Sequence, residues 1–110
     1  MDIERREYEV MLGELAVRAE TCGIAEHELE IIVGTWPVDI AAGDVRTEKV
    51  ARRLYELLGL TRWLFGEDAR IWLQRPNGIL DDEVPMHLLL TDPAAVVGLR
   101  DILRMEVDAC

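Results

Sequence analysis

The side chains best suited to acid–base or nucleophilic chemistry in this chain are two histidines and two cysteines. His27 lies among carboxylates, with Glu26 beside it and Glu30 within reach on a helix, while His87 has apolar neighbours. No further ligand spacing accompanies them, so we expect no metal site, and neither cysteine neighbours a histidine that could activate it. The chain contains no serine and no glycine-rich phosphate loop. These features predict a protein that is not an enzyme and uses no cofactor.

Composition limits the class of protein further. The chain has 110 residues and half of them are apolar, which is enough for one core or for two small lobes that share a core. No apolar run could span a bilayer, and no apolar segment follows the charged N-terminus as in a signal peptide, so we expect a cytoplasmic protein without a membrane contact. Cys22 and Cys110 lack the spacing of a disulfide framework, and we expect both to be reduced thiols.

Negative charge is concentrated in the first part of the sequence. The net charge is −10, and residues 1–44 contain three arginines against eleven Asp and Glu residues. Residues 45–110 are nearly balanced, with nine basic against eleven acidic groups. Because an acidic surface repels phosphates and favours basic partners, this distribution weighs against DNA binding by the first part.

Apolar residues recur at helical spacing through the chain, and no alternating strand pattern appears, which predicts an all-α class. A stripe from Tyr8 to Cys22 predicts a first helix that ends at Gly23, and residues 25–33 predict a second. A third helix is expected between Thr35 and Gly43. The fourth should begin at a Thr47 cap, with Gly59 as its bend or end.

Residues 63–91 predict two short helices joined by a rigid connector, followed by a last helix. The positions that support this are Gly66 as a break, Pro76 as a helix end, Asn77-Gly78 as a turn, Ile79 and Leu80 as apolar residues beneath the connector, Pro85 as a helix start, and Pro93 in the first turn of the last helix.

Residues 24–43 have the shape of a helix-turn-helix, in which the second helix enters the major groove of DNA. Phosphate contacts need Lys or Arg, and this second helix has neither. The side chains that could contact DNA are Thr35 and Trp36 at its start and Arg46, Lys49, Arg52 and Arg53 after it. We favour the helix-turn-helix fold but not tight DNA binding by the chain alone, and an ordinary helical lobe stays open.

The second half carries an ordered set of residues that points to one family. The set comprises Phe65-Gly66, Ala69, Trp72-Leu73, Pro76-Asn77, Leu80, Pro85-Met86, Leu88-Leu89, Thr91, Val96-Val97 and Leu103. With this set, residues 61–104 resemble the toxin-binding domain of the Xre/MbcA/ParS-like antitoxins, and residues 24–43 are similar to the Xre-type helix-turn-helix that precedes it. The resemblance implies an Xre-like lobe at residues 1–60 and a toxin-binding domain at residues 61–110.

The chain departs from the family pattern at two places. Residues 81–84 replace a glycine before the second proline pair, and Ala42-Gly43 replaces a tryptophan–glycine end of the reading helix. The first departure leaves the toxin-binding assignment intact, and the second argues against autoregulatory DNA binding.

The resemblance implies the antitoxin of a type II toxin–antitoxin system. Its cognate RES-domain toxin, a NAD-degrading or ADP-ribosylating enzyme, would be neutralised by a block of the active site, and a homodimer through the last helix is expected. The implied toxin-binding residues are Trp72, Pro85, Leu88, Leu99, Leu103, Arg104, Glu106, Asp108 and Cys110. Residues 99–110 would block the pocket, because carboxylates can occupy the cationic donors that bind pyrophosphate. A frayed, solvated terminus is the alternative.

Three functions from different classes therefore remain. The first is an antitoxin that binds a protein partner. The second is a stand-alone helix-turn-helix transcriptional regulator. The third is a small enzyme that acts through His27 and His87.

Overall fold

The chain folds into helices around one central helix. The computed structural model describes residues 2–92 and 94–109, and side chains from residue 5 onward; the expectations for Pro93 and Cys110 lie outside these ranges. The described residues form the α-helices α1 (Asp2–Thr21), α2 (Glu26–Val33), α3 (Val45–Phe65), α4 (Ala69–Gln74), α5 (Pro85–Thr91) and α6 (Ala95–Ala109). Short 3-10 turns occupy Ile40–Ala42, Gly66–Asp68 and Gly78–Leu80. The all-α class is confirmed.

α3 is the central element and packs against both α1 and α6. Its inward residues are Ala51, Leu54, Leu57, Leu58 and Thr61, all without solvent exposure. Burial of each leucine contributes about 1.5–3 kcal/mol. The hydroxyl of Thr61 donates to the carbonyl of Leu57 at 2.8 Å, so this buried polar group is satisfied inside the helix.

α1 buries the stripe that its sequence predicts, and Gly23 ends it in the left-handed conformation. Arg18 links α1 to α3: its guanidinium donates to the carbonyl of Tyr55 at 2.9 Å and lies 3.8 Å from the centre of the Tyr55 ring. The prediction that Gly59 ends α3 is wrong, because the helix continues through it, and a bend there stays a prediction. A Cβ at Gly59 would lie 2.7 Å from Arg18 Nη1, so this glycine makes room for the arginine.

The predicted third helix between Thr35 and Gly43 is wrong, and the helix-turn-helix in residues 24–43 therefore lacks its second helix. The chain forms bends after Gly34 and only the turn Ile40–Ala42. Asp39 stays extended and its side chain accepts from the Ala41 N–H at 3.1 Å, which starts the turn late. The segment also lies between Gly34 and Gly43, and both have the left-handed conformation that is typical of helix ends.

α3 begins earlier than the sequence predicts because Asp44, not Thr47, caps it. The Asp44 carboxylate accepts from the backbone N–H groups of Arg46 and Thr47 at 3.0 and 3.4 Å. The Thr47 hydroxyl donates to the same carboxylate at 3.0 Å. Aspartate is among the best residues for this position, because its charge also suits the positive end of the helix dipole.

The connector between α4 and α5 forms a closed loop. Pro76 follows the end of α4 and Pro85 begins α5, as predicted. An isolated β-bridge joins Asn77 and Glu83, in which the backbone N–H of Asn77 donates to the carbonyl of Glu83 at 3.1 Å. The expected burial of Ile79 is wrong, because this side chain is 67% exposed at the tip of the loop. Leu80 is half-buried against the core, so only one of the two apolar residues packs beneath the connector.

The predicted boundary between residues 60 and 61 falls inside α3, and the division into two lobes stays a prediction. Within residues 2–92 and 94–109, no helix is both long and apolar enough to cross a membrane.

The Asp44 cap makes stability depend on pH. Hydrogen bonds from Thr47 lower the pKa of Asp44 below its ordinary value of 3.8. A carboxyl group with a lowered folded pKa stabilises the fold above its unfolded pKa and loses this contribution as pH falls through the folded pKa. We expect Asp44→Asn to keep the cap but remove its titration. Between about pH 5 and about pH 3, the melting temperature followed by circular dichroism should fall more for the wild type than for the variant. Equal falls would exclude this role of Asp44.

Candidate partner-binding surface

Several of the residues implicated in toxin binding build the core of the second half. Leu99 and Leu103 on α6 are 3% and 2% exposed, and Pro85 at the start of α5 is also buried. Trp72 and Leu88 are half-buried. A buried side chain can act on a partner only through the elements that it positions, and direct contacts by these residues stay a prediction.

Trp72 positions α4 against the end of α3. Its ring stacks on Phe65 with centroids 5.0 Å apart and planes inclined by 18°. Gly66 lies between the two aromatics with φ 56° and its N–H donates to the carbonyl of Arg62, which ends α3. The stack therefore sets how the chain reverses from α3 into α4.

A carboxylate on α3 fixes the position of α6. Glu56 Oε1 lies 3.0 Å from Arg104 Nη1, and Glu56 Oε2 lies 3.5 Å from Arg100 Nη1. Arg100 also contacts Asp101 at 3.1 Å. Exposed pairs contribute little to stability, but two arginines one helical turn apart on one carboxylate define the register of the two helices. Arg104 is thus engaged within the fold.

Beyond Arg104, the end of α6 is mostly open to solvent. Glu106 and Asp108 are exposed, Val107 is half-buried, and Met105 is 72% exposed. The described part of α6 therefore offers two carboxylates and one large apolar side chain to a partner. Cys110, the last implicated residue, is outside the described ranges.

Several large apolar side chains are exposed, and the sequence did not assign a role to them. In the second half these are Trp63, Ile71, Ile79 and Met105, which we call the exposed apolar set. Trp63 is 77% exposed, and tryptophan is a frequent anchor of protein interfaces. A signal was present in the sequence, since Trp63 lies off the α3 stripe that contains Leu54, Leu58 and Thr61.

The residues considered for DNA contact do not form a groove-reading element. Thr35 is exposed in a bend, and Trp36 is half-buried against the core. Arg46, Lys49 and Arg53 are exposed on α3.

Arg52, the remaining cation considered for DNA contact, has partners within the fold. Arg52 pairs with Glu48 at 2.9 Å and lies 5.2 Å from the centre of the Tyr8 ring. A cleft of about 420 Å³ adjoins this region, and Asp39, Asp44 and Glu48 contribute to its lining. Phosphate would be repelled there.

The groups considered for catalysis are not assembled. Burial raises the pKa of the Cys22 thiol, which disfavours the reactive thiolate. His27 and His87 are both exposed. Among the described residues, no group of three or more His, Cys, Asp or Glu side chains could hold a metal ion.

Comparison with known families assigns part of this structure. The family described as antitoxin Xre/MbcA/ParS C-terminal toxin-binding domain matches residues 60–105. No curated protein and no solved structure gives a match to the chain. The matched range starts near the end of α3, finishes within α6 and contains the whole exposed apolar set.

The stack of Phe65 on Trp72 should be measurable as a coupling between α3 and α4. We expect Phe65→Leu and Trp72→Leu to show non-additive losses of unfolding free energy, with a coupling of about 0.5–1.5 kcal/mol. Urea unfolding of the wild type, both single variants and the double variant measures it. Additive losses would show that the rings act independently.

Proposed function

We propose that this chain, whose residues 60–105 match the antitoxin Xre/MbcA/ParS C-terminal toxin-binding domain, neutralises a RES-domain toxin of a type II toxin–antitoxin system. The domain is a toxin-binding domain and not a catalytic one. The proposed partner is a NAD-degrading or ADP-ribosylating enzyme whose active site the antitoxin blocks. A homodimer of the antitoxin is part of the same proposal.

The observation that carries the proposal is the exposed apolar set within the matched domain. Trp63 stands on a helix whose opposite side is fixed by fully buried residues such as Leu57 and Thr61. A tryptophan on a rigid base loses little conformational entropy when a partner covers it. Its exposure therefore supports a protein contact rather than a role in folding.

The end of α6 supports the proposed block of the active site. Core contacts of this helix extend to Leu103, and the carboxylates of Glu106 and Asp108 lie on the exposed turns that follow. A pocket that binds the pyrophosphate of NAD needs cationic donors, and carboxylates make strong charge-assisted bonds with such donors. The same segment can thus compete with NAD.

Trp63 provides the direct test of the toxin contact. We expect Trp63→Ala to weaken binding of the RES-domain protein encoded beside this chain by about 2 kcal/mol or more, as for other interface tryptophans. The matched control is Val45→Ala, which removes an exposed apolar side chain from the same helix outside residues 60–105. Isothermal titration calorimetry measures both affinities. Wild-type chain that fails to bind the RES-domain protein would overturn the proposed partner, and equal affinities of the two variants would overturn the role of Trp63.

The block of the active site is tested separately from binding. Removal of residues 106–110 takes away both carboxylates and leaves Glu56 and Arg104 in place, so the antitoxin should still bind. NAD turnover by the toxin should then recover in the complex. Full inhibition by the shortened chain would place the block elsewhere.

Autoregulatory DNA binding, alone or in the toxin complex, is the second candidate. The observation that favours it is the exposed cationic row of Arg46, Lys49 and Arg53 at the start of α3. The acidic balance of residues 1–44 and the missing reading helix argue against it.

For the chain alone, we therefore expect no specific shift of its own promoter in a gel-shift assay at about 50 mM salt, a condition that favours phosphate contacts. A specific shift that Lys49→Ala weakens would establish DNA binding through α3 and contradict this expectation. Gln74→Ala, a change at an exposed uncharged residue, is the matched control.

A further inference from the structure

We propose that the outward face of α1 pairs antiparallel with the same face of a second copy of this chain. The inference deepens the proposed function, since it supplies an interface for the proposed homodimer. It moves that interface away from α6, whose apolar residues Val96, Leu99 and Leu103 are buried within the fold.

The outward face of α1 carries a regular pattern of its own. We call it the α1 seam, and its members are Arg6, Val10, Gly13, Val17 and Glu20. They recur at alternating spacings of four and three, as in a helix-pairing stripe. The seam lies opposite the buried stripe of α1. Its two valines, Val10 and Val17, are 61% and 63% exposed and are not part of the buried core.

Gly13 at the middle of the seam allows close approach of another helix. A Cβ at this position would meet nothing within 4 Å, so packing inside the described fold does not explain the glycine. A glycine inside a helix costs about 0.5–1 kcal/mol relative to alanine. Shallow grooves of about 500 and 570 Å³ run along the same face; Val10 and Glu14 line both.

The arrangement of the seam points to a second copy. Arg6 and Glu20 lie seven residues to either side of Gly13, so an antiparallel two-fold pairing places each Arg6 against a Glu20 of the other copy. The same axis sets glycine against glycine. Val10 lies three residues before this axis and Val17 four residues after it, so the valines of the two copies are offset by one residue and pack on either side of the glycine contact. A parallel pairing would instead oppose like charges. Self-complementarity of this kind is what a two-fold interface requires.

Among the side chains that the structure describes, Arg6 and Glu20 are not engaged in ion pairs that would hold them away from a second copy. Glu14, which adjoins the seam, accepts a hydrogen bond from the Tyr55 hydroxyl and is thereby directed toward α3. This bond also raises the pKa of Tyr55.

The size of the interface sets its strength. A helix of this length is about 30 Å long, and two such helices bury less than the ~1,600 Å² of a standard interface. We therefore expect a concentration-dependent dimer with a dissociation constant of roughly micromolar order.

Charge reversal at the ends of the seam is the sharpest test. Sedimentation equilibrium of the full chain should show that Arg6→Glu and Glu20→Arg each raise the dissociation constant about tenfold, since each reversal turns two attractive contacts into repulsive ones. The double variant should return to within about threefold of the wild type, because the pairs are restored with exchanged signs. A merely structural role of either residue would give no such rescue.

A second measurement tests the apolar centre. Val17→Glu should abolish the dimer, whereas the matched change Val45→Glu, at a similarly exposed valine on α3, should leave it intact. Both sites are exposed, and thermal unfolding should confirm that both variants fold. Wild-type chain that stays monomeric at about 1 mM would overturn the homodimer together with its interface. A dimer that survives Val17→Glu and both charge reversals would overturn the α1 seam alone and leave the proposed antitoxin homodimer standing.

Discussion

Burial of one face of α3 against α1 and α6 is the constraint on which the rest of the structure depends. Leu54, Leu57 and Leu58 precede residue 60, yet α6, near the end of the chain, packs on the same helix. The family match begins at residue 60, so Glu56, which fixes the register of α6, lies outside it. The toxin-binding domain thus takes its base from residues that precede it.

Polar contacts of Arg18 and Tyr55 link α1 to α3. Arg18 reaches from α1 across Gly59 to the carbonyl and ring of Tyr55, and Tyr55 in turn holds Glu14. The glycine lowers the intrinsic helix propensity of α3, but a larger residue would displace the guanidinium. The contact between α1 and α3 therefore depends on a position where helix propensity and packing favour different residues.

Helices with a strong apolar stripe could be predicted from the sequence, whereas start and stop signals alone were unreliable. They placed the start of α5 at Pro85 correctly but failed between Thr35 and Gly43. α1 and α2 follow their stripes closely. Between Thr35 and Gly43 the start signals were present but no stripe was, and local hydrogen bonds of Asp39 and Asp44 determined the backbone instead. For the site, the family pattern located the part of the chain that the family model matches. It did not separate core from surface, because large apolar residues at helical spacing fill the core first, as Leu99 and Leu103 do.

The two proposed contacts use different parts of the molecule and need not compete. α1 turns its buried stripe toward α3, so the α1 seam faces away from the helix that carries Trp63. A toxin on the exposed apolar set and a second antitoxin on the α1 seam would thus be bound at once. The affinity of each interface would then be set independently of the other. A weak antitoxin dimer would be strengthened if the toxin also self-associates, because linked contacts raise the effective concentration of each partner. The net charge of −10 makes specific contacts necessary for pairing, because the like charges of two copies repel each other at close range.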